Sequence, residues 1–459
     1  MGIVIENEIW EPKPSLYVFL FFSSFLSIFI LPYFSNNPNR SSPSPDLSGG
    51  TLSSLTKSSF LRFQRSFLLL YSLASVIQGL QSVFGEFEYA YYGVSRDQMV
   101  VTLCVGSVAA ILIGTFLGMI SDIIGQKKVC VLFGMLHIFV GFWKKFTMHP
   151  SAWIVSICTA LASSVFSFSF ETWTVTEHDK LGHRQDLLSK TFWLMTFFES
   201  VSLIGSQMIG NFLVGMNPKN GTGFPSAAIA FLAFVCIIYI AREWKESSRT
   251  AGYGDYKVAF SAVVLGDKRI WLLSCAQACI HFSIAIFWIL WAPTIVADGR
   301  EVNLGLIYPC LLGARMLGST AVLWFLSSGP SPVRTEDCLI AAFMIAGLTL
   351  SIVAFDYQEI GVLVTLFCLF HSCVGLILPS LARLRTTYVP NQLRGGMISL
   401  SLAPANAAVL FVLIQGGYSR NLENSTIIAF AAFGLFIAAF CMHMLKRSGK
   451  QPYQNWHDL

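Results

Sequence analysis

The sequence predicts an all-α polytopic membrane protein, with a twelve-helix core in two six-helix halves and one extra N-terminal transmembrane helix. Of its 459 residues, 54% are hydrophobic and only 12% are charged, which is too apolar for a soluble globular protein. Apolar runs of roughly 18 residues or more recur along the chain, the length that a membrane-spanning helix needs. One long hydrophilic break divides the twelve core runs into six and six, which indicates two halves.

Residues 1–34 are predicted to form an N-terminal segment with an anchor helix. Its apolar run, SLYVFLFFSSFLSIFILPY, covers residues 15–33. The flank before this run is acidic rather than basic, and no small-residue cleavage site follows, so the pattern is not that of a signal peptide. We therefore expect a retained helix whose N-terminus lies outside. Residues 35–64 begin with a stretch rich in Ser, Pro and Asn, which predicts a cytoplasmic linker.

The two six-helix halves are expected at 65–241 and 270–446. A central cytoplasmic loop, 242–269, joins them, and a cytoplasmic tail, 447–459, follows the second half. The apolar runs that predict the twelve core helices lie near 65–91, 98–120, 129–146, 152–176, 190–214, 224–241, 270–294, 303–327, 338–355, 360–382, 397–416 and 426–446.

The basic residues predict which side of the membrane each loop faces. With the linker placed inside, 22 of the 30 Lys and Arg residues fall in inside segments and seven in outside segments. Positively charged loops favour the cytoplasmic side, so this orientation is predicted. Two N-x-S/T sequences, at Asn220 and Asn424, then lie outside and are candidates for glycosylation.

The stretch GTFLGMISDIIGQKK, residues 114–128, combines small residues, one carboxylate and a basic turn. Gly114 and Gly118 lie one helical turn apart and allow a neighbouring helix to approach closely. Asp122 is expected at the membrane edge, where a carboxylate can pair with a basic side chain or face a helix N-terminus. Such a contact can latch the two halves in one state. The alternative is a packing stripe followed by ordinary cytoplasmic lysines.

The pattern G-x-x-x-D-x-x-G-x-K-K in this stretch resembles the loop between the second and third helices of the major facilitator superfamily. Gln126 stands where that loop usually has Arg. By the same resemblance Arg394, at the start of the eleventh core helix, neighbours Asp122 as its latch partner; the alternative is an inner-face positive charge. The matching residues are Gly118, Asp122, Gly125, Lys127 and Lys128.

A longer set of motifs, from about residue 60 to 446, resembles the molybdate-anion transporter family, which also has an extra N-terminal helix. The resemblance implies a facilitator fold that moves a small oxyanion through a site between the halves. It also implies the plasma membrane, with an endomembrane as the alternative. The matching stretches are FLRFQ (60–64), DIIGQKKVCVLF (122–133), FETW (170–173), EH (177–178), LGDKR (265–269), WAP (291–293) and LPSLARLRTTYVP (378–390).

The chain differs from this family pattern at several intramembrane positions. Gln78 and Gly79 stand where the family carries Asp and Trp. His281 and His371 each stand where the family carries Glu. Arg315 occupies a position that is usually small and polar. Carboxylates are therefore replaced, and cationic or titratable groups are gained.

Two charged residues inside helices are candidates for the solute pathway. A carboxylate within the hydrocarbon region is costly and usually faces a cavity or a partner. Glu171 is therefore expected to accept a proton or to pair with Arg315, unless its helix ends early and places it near the inner interface. Arg315 has a planar fork that suits an oxyanion. The alternative for Arg315 is a structural ion pair with Glu171 or Glu199.

Five further polar residues are candidates for the same pathway. Histidine titrates near neutral pH, so His281, with Gln277 one turn before it, and His371 can relay a proton; each can equally be a hydrogen-bonded core residue. Gln78 and Gln81 can hydrogen-bond a tetrahedral anion or hold two helices together.

These observations predict secondary active transport of a small anion, molybdate or a related oxyanion, across a lipid bilayer by alternating access, with a proton as the candidate coupling ion. The chain has no P-loop and no hydrolase motif, and nothing predicts an enzyme, a metal, a cofactor or a nucleic-acid partner. The alternatives are transport of a different small solute and a non-transporting receptor or scaffold. Convergence of Arg315, Glu171 and His281 on one cavity would favour transport.

Overall fold

The structure is a computed structural model of the chain, and nearly all of the residues that it describes are helical. The described residues are 9–35, 50–147, 151–180, 185–216, 223–244, 253–327, 334–355, 359–419 and 421–448.

The helices in the described part of the chain are numbered from the N-terminus. In chain order they are α1 (Pro14–Ser35), α2 (Gly50–Tyr91), α3 (Arg96–Ala109), α4 (Thr115–Ile124), α5 (Gln126–Phe146), α6 (Ala152–Lys180), α7 (Gln185–Met216), α8 (Gly223–Glu243), α9 (Tyr253–Gly266), α10 (Lys268–Ile295), α11 (Leu304–Ser327), α12 (Thr335–Phe355), α13 (Ile360–Tyr388), α14 (Arg394–Val412) and α15 (Asn424–Ser448).

Two of the membrane-spanning helices contain π-helical turns. Ala110–Gly114 joins α3 to α4 without a break, so that Arg96–Ile124 forms one span. Leu413–Tyr418 extends α14 in the same way. Both turns lie on helices that run along the boundary between the two halves, and the two helices pack against each other. Such turns commonly occur at functional sites.

Eleven helices in the described part of the chain are long and apolar enough to cross a membrane. The helix α11, with 24 residues, packs among them and completes a twelve-helix core. Four of the core helices contain an internal proline, which neighbouring helices tolerate inside a membrane bundle. The predicted fold class, a polytopic helical membrane protein with a twelve-helix core and an extra N-terminal helix, is confirmed.

Each half has its own apolar core. Phe133, Phe168 and Phe170 are completely buried in the first half. Phe343 and Leu435 are completely buried in the second half. The halves meet where α4 and α6 pack on α14, and where α7 packs on α11 and α13. The solute pathway of such a fold lies along this boundary.

The extra helix α1 packs against α11 in the second half. The Tyr17 hydroxyl donates a hydrogen bond to the Leu306 carbonyl at 2.5 Å. Before the helix, the Trp10 N–H donates to the Glu301 carbonyl at 3.1 Å, and the Trp10 carbonyl accepts from the Asn303 N–H at 3.3 Å. The N-terminal segment is therefore fastened to the half that is more distant in sequence.

Three helical segments lie where the apolar pattern predicts none: the start of α2, all of α9 and the end of α13. The helix α2 starts inside the segment predicted to be a linker, and Phe60 is buried there against His178. The helix α9 lies inside the segment predicted to be a central loop. The helix α13 continues past its apolar run to Tyr388. In each case tertiary contacts stabilise helical turns that the apolar pattern does not reveal.

We call the end of the bundle at Gly125, α9 and the end of α13 the inner end, after the orientation that the basic residues predict. The opposite end, where α7 and α10 finish and α11 begins, is called the outer end.

Candidate functional site

A cavity of about 980 Å³ lies between the two halves. Its walls come from α2, α6 and α7 of the first half and from α10, α11 and α13 of the second. It runs from the middle of the bundle to the exposed residues Asn211 and Gly215 at the outer end. Towards the inner end it stops at Arg385 and Glu171. The structure is therefore open at the outer end and closed at the inner end.

Four of the predicted pathway residues line this cavity: Glu171, His281, Arg315 and His371. They come from four different helices, α6, α10, α11 and α13. These four residues, which are far apart in the sequence, therefore line one cavity. This is the arrangement that was expected to favour transport over a receptor or scaffold.

Arg315 forms an ion pair across the boundary between the halves. Its Nη2 donates to Oε1 of Glu199 on α7 at 3.0 Å. The hydroxyl of Tyr71 on α2 donates to Oε2 of the same carboxylate at 2.9 Å. Of the two carboxylates considered from the sequence, Arg315 thus pairs with Glu199 and not with Glu171. The Arg315 Nε has no hydrogen-bond partner among the described residues.

The backbone around Arg315 is held by close packing of α11 on α13. A Cβ on Gly375 would overlap the Arg315 carbonyl oxygen, and a Cβ on Gly318 would overlap the carbonyl of Ser372. Glycine at these two positions lets the helix backbones touch. The backbone position from which the Arg315 side chain extends is therefore set by a close helix contact within the second half.

The two histidines have different surroundings. His371 is 1% exposed, and its ring packs against Phe287 at a centroid distance of 4.5 Å and against Trp288 at 5.1 Å. Neither of its ring nitrogens has a hydrogen-bond partner among the described residues. His281 is half-buried and faces the same cavity.

Glu171 closes the inner side of the cavity. Arg385 on α13 donates from Nε to Glu171 Oε1 at 2.8 Å and from Nη2 to Oε2 in a short contact. Arg394 Nη1 donates to Oε1 at 3.4 Å. Gln277, also predicted as a pathway residue, accepts from Arg385 Nη1 at 2.9 Å. Glu171 lies well inside α6, so its helix does not end early, and its partners are these two arginines rather than Arg315.

Asp122 makes a second contact between the halves, at the inner end. Its Oδ1 accepts from the Gly395 N–H at 3.0 Å and its Oδ2 from the Gly396 N–H at 2.7 Å. The carboxylate therefore sits on the N-terminus of α14, where the helix dipole favours a negative charge. Arg394 directly precedes these two glycines in the sequence, but its guanidinium contacts Glu171. The expected side-chain pair of Asp122 with Arg394 is not found.

Tyr256 on α9 adds a third partner to Asp122. Its hydroxyl donates to Asp122 Oδ2 at 3.2 Å. Burial and the neighbouring carboxylate raise the pKa of Tyr256, so the phenol remains a donor at physiological pH. The helix α9, which lies between the two halves in the sequence, therefore takes part in the contact of Asp122 with α14. We call the contacts of Glu171 and Asp122 with the second half the inner gate.

The other predicted latch residues have separate local positions. Gly125 has a φ of 100° in the turn between α4 and α5, a conformation that favours glycine. Lys127 donates from Nζ to the Trp244 carbonyl at 2.8 Å and the Ala241 carbonyl at 3.2 Å, so it binds the end of α8 within its own half. Lys128 is exposed.

Gly118 is where α4 and α14 touch, and it gives a direct test of the inner gate. A Cβ there would overlap Ser399 and the Gly395 carbonyl. We expect Gly118→Leu to hold the inner ends apart, at a cost of about 1–3 kcal/mol to the closed state. The check is alkylation of a cysteine introduced at Leu381, an inner cavity position that is 1% exposed, by an impermeant reagent applied from the inner side.

The matched control for this variant is Gly205→Leu on α7, where no atom of the described residues lies within 4 Å of the added Cβ, apart from the chain neighbours and the backbone of α7 itself. Mass spectrometry of the alkylated peptide reads the introduced cysteine without removing the native ones. Faster labelling in Gly118→Leu but not in Gly205→Leu is expected. Equal labelling in both variants and the parent would show that the α4–α14 contact does not control inner access.

Three predicted pathway residues do not line the cavity: Gln277, which binds Arg385 behind the inner side, and Gln78 and Gln81 on α2. Gln78 is half-buried and Gln81 is 8% exposed, while α2 presents Tyr71, Ser82 and Val83 to the cavity. Gln81 lies about 100° from Ser82 around the helix, and so on a different face. Its Oε1 has no partner among the described residues.

The glycosylation candidates differ in what the structure shows. Asn424 is exposed at the start of α15, at the outer end. Asn220 lies outside the described residues.

Sequence reasoning did not assign two residues that define the site. Arg385 follows the apolar run 360–382, so the apolar pattern places it in an inner loop rather than in the cavity. The stretch LARLRTTY contains no helix-breaking residue, so the sequence allowed α13 to continue and to carry Arg385 on a helix. Glu199 entered only as an alternative partner of Arg315, although a lone carboxylate within an apolar run was itself a sign of a cavity-facing position.

A twelve-helix bundle in two halves, around a shared cavity that is open on one side, is the architecture of facilitator-type membrane transporters. A family model described as sugar transporters with 12 transmembrane spans matches residues 48–401. The chain belongs to this family, and the predicted membership of the major facilitator superfamily is confirmed.

Among the relatives are two proteins named molybdate-anion transporter. The one from Takifugu rubripes is 24% identical over 372 residues, covering 74% of this chain and 76% of that protein. The one from Xenopus tropicalis is 24% identical over 398 residues, covering 83% and 85%. The chain is therefore a divergent member of the superfamily that is similar to these transporters.

Solved structures of facilitators share the fold. The human organic anion transporter MFSD10 superposes with a TM-score of 0.62 at 13% identity, over 83% of this chain and 99% of that chain. The fucose:proton symporter of E. coli superposes with a TM-score of 0.66 at 12% identity, over 84% and 99%. At these identities the likeness concerns the fold alone.

Proposed function

We propose that this protein is a secondary active transporter of a small anion, molybdate or a related oxyanion. The observation that carries the proposal is the position of Arg315, a permanent cation in a cavity shared by both halves and closed only at the inner end. An arginine in the membrane interior is retained at high cost, and its fork matches the oxygens of a tetrahedral anion.

The contacts between the halves support alternating access as the mechanism. Glu171 and Asp122 belong to the first half, and all the partners of Glu171 at the gate belong to the second. Rocking of one half against the other would break these contacts together and open the inner side. Binding of the anion at Arg315, between the halves, favours a state in which both halves enclose it.

The relatives support the anion as substrate. The proteins from Takifugu rubripes and Xenopus tropicalis are named for molybdate, and both cover most of this chain. Ser167 and Thr196 line the same cavity; their hydroxyl groups donate to carbonyls of their own helices here and can rotate to donate to an oxyanion. By the same similarity we propose the plasma membrane as the location.

A neutral polar solute such as a sugar is the second candidate. Trp288 and Trp291 line the cavity, and Gln207 and Asn211 add amide groups towards the outer end. Aromatic faces with amide groups suit a sugar ring, and the matching family is described as sugar transporters. The charge of Arg315 has no role in binding a neutral ring, which is why the anion is preferred.

The test is transport by the purified protein in sealed lipid vesicles. We expect saturable uptake of radiolabelled molybdate that excess tungstate or sulfate reduces and that a neutral hexose does not. Vesicles without protein are the control. Hexose uptake without oxyanion uptake would support the second candidate. Absence of uptake for both classes would favour a receptor or scaffold on the same fold.

A further inference from the structure

We propose that Glu199 is the residue whose protonation couples anion binding to a proton gradient. The proposal rests on the anion transport proposed above and names its driving ion. Glu199 lines the cavity from α7, and its two oxygens accept hydrogen bonds from Arg315 at 3.0 Å and from Tyr71 at 2.9 Å. Glu199 is the carboxylate that forms the ion pair with the proposed anion-binding arginine.

Glu199 and an entering anion compete for the single positive charge of Arg315. With Glu199 ionised, the anion meets a neutral pair and a repelling carboxylate. A proton on Glu199 removes this repulsion and leaves the positive charge of Arg315 uncompensated. The anion then restores the balance, so proton and anion each favour binding of the other, as linkage requires.

The same proton acts on the contact between the halves. Glu199 lies on α7 in the first half and Arg315 on α11 in the second, so their ion pair joins the halves at the middle of the cavity. A neutral carboxylic acid holds the guanidinium less firmly than a carboxylate does. Binding of the proton and the anion therefore weakens the Arg315–Glu199 ion pair, which is one of the contacts that join the two halves.

The other carboxylate in the cavity is less suited to this role. Glu171 accepts hydrogen bonds from Arg385 and Arg394, both of which are buried. A proton on Glu171 would leave two buried guanidinium groups without their counter-charge at the inner gate. Glu199 faces one guanidinium and one neutral phenol, so its protonation frees one charge at the place where the anion binds.

The remaining titratable groups of the cavity are His281 on α10, Tyr308 on α11 and His371 on α13. His371 packs among aromatic rings with no acceptor for a charged imidazolium among the described residues. His281 makes no ion pair in the described part of the chain. A proton on His281 or His371 would add a charge but would not release Arg315.

The test separates driven uptake from exchange in sealed vesicles containing the whole protein. For the parent protein we expect acid outside to drive molybdate accumulation above equilibrium, with a rate that rises as external pH falls. Glu199→Gln mimics the protonated acid. It should keep molybdate exchange between the two sides, lose accumulation driven by the pH gradient, and show a flat dependence of exchange on pH.

Two further variants guard against a general effect on folding. Glu199→Asp keeps a titratable group and should retain gradient-driven accumulation. Glu423→Gln changes an exposed carboxylate at the outer end and should behave as the parent. Should Glu199→Gln not fold, Glu199→Asp still tests the proposal, because loss of its gradient-driven accumulation while molybdate exchange persists would contradict it.

The outcomes distinguish the two proposals. If the parent exchanges molybdate but acid outside drives no accumulation, the coupling proposal is wrong and the anion transport stands. The same holds if Glu199→Gln still accumulates molybdate with the gradient. If the parent neither exchanges nor accumulates any oxyanion, both proposals are overturned.

Discussion

Glu171→Gln is expected to destabilise the closed inner gate by about 3–5 kcal/mol, since removal of one partner leaves buried charges uncompensated. Arg385 and Arg394 are 8% and 0% exposed, and Glu171 is the carboxylate that contacts both. Glutamine has nearly the same shape but supplies no charge. The equilibrium should move towards states in which the two arginines separate from α6 and reach water.

Two measurements check this expectation. Thermal unfolding in detergent should show a lower midpoint for Glu171→Gln than for the parent. Alkylation of the cysteine introduced at Leu381, applied from the inner side, should become faster. Glu177→Gln is the matched control, because Glu177 lies on the same helix but pairs with Lys180 within that helix at 2.5 Å.

The double variant Glu171→Gln with Arg385→Gln tests the physical reason. Removing one of the two guanidinium groups should recover part of the lost stability, since less uncompensated charge remains buried. If Glu171→Gln unfolds and labels as the parent does, the Glu171 contacts do not hold the inner gate closed.

Arg315→Gln is expected to reduce the rate of oxyanion uptake at low substrate concentration by roughly 10- to 100-fold. A hydrogen bond to a charged group contributes about 1.5–3 kcal/mol, and each 1.4 kcal/mol corresponds to about tenfold in binding. Loss of the cation also leaves Glu199 as an unpaired negative charge in the cavity, which repels the anion further. Arg315→Lys should retain part of the uptake because the charge remains while the fork is lost.

The measurement is initial uptake of radiolabelled molybdate over a range of concentrations, normalised to folded protein. Arg62→Gln, which changes an exposed arginine, is the control. The double variant Arg315→Gln with Glu199→Gln separates the lost cation from the exposed carboxylate, and it should recover some uptake. Unchanged uptake in Arg315→Gln would show that the anion does not bind at Arg315.

Much of the fold could be predicted from the sequence, because the signal is local. Twenty or so apolar residues in a row specify a spanning helix regardless of its neighbours. The glycines of the 114–128 stretch likewise marked a close helix contact, and Gly118 does touch α14. The helical turns of α9, and those that extend α2 and α13, were missed because distant side chains stabilise them.

The pairing of charges could not be predicted in the same way. Glu171 and Arg385 are 214 positions apart, and Glu199 and Arg315 are 116 positions apart. Each charge had several partners of suitable sign, and the choice depends on helix rotation and depth. Asp122 illustrates this: the sequence allowed a basic side chain or a helix N-terminus, and the backbone of α14 is what it binds.

The packing of α1 on α11 has a consequence for synthesis of the protein. Tyr17 and its partner Leu306 are 289 positions apart, so the first helix is made long before its binding surface. At a translation rate of roughly 5–20 residues per second, that delay is roughly 15–60 s. During this time α1 lies in the bilayer with its contact face turned to lipid or to the insertion machinery. The second half is thus completed by the first helix made, and its assembly must wait until α11 has entered the membrane.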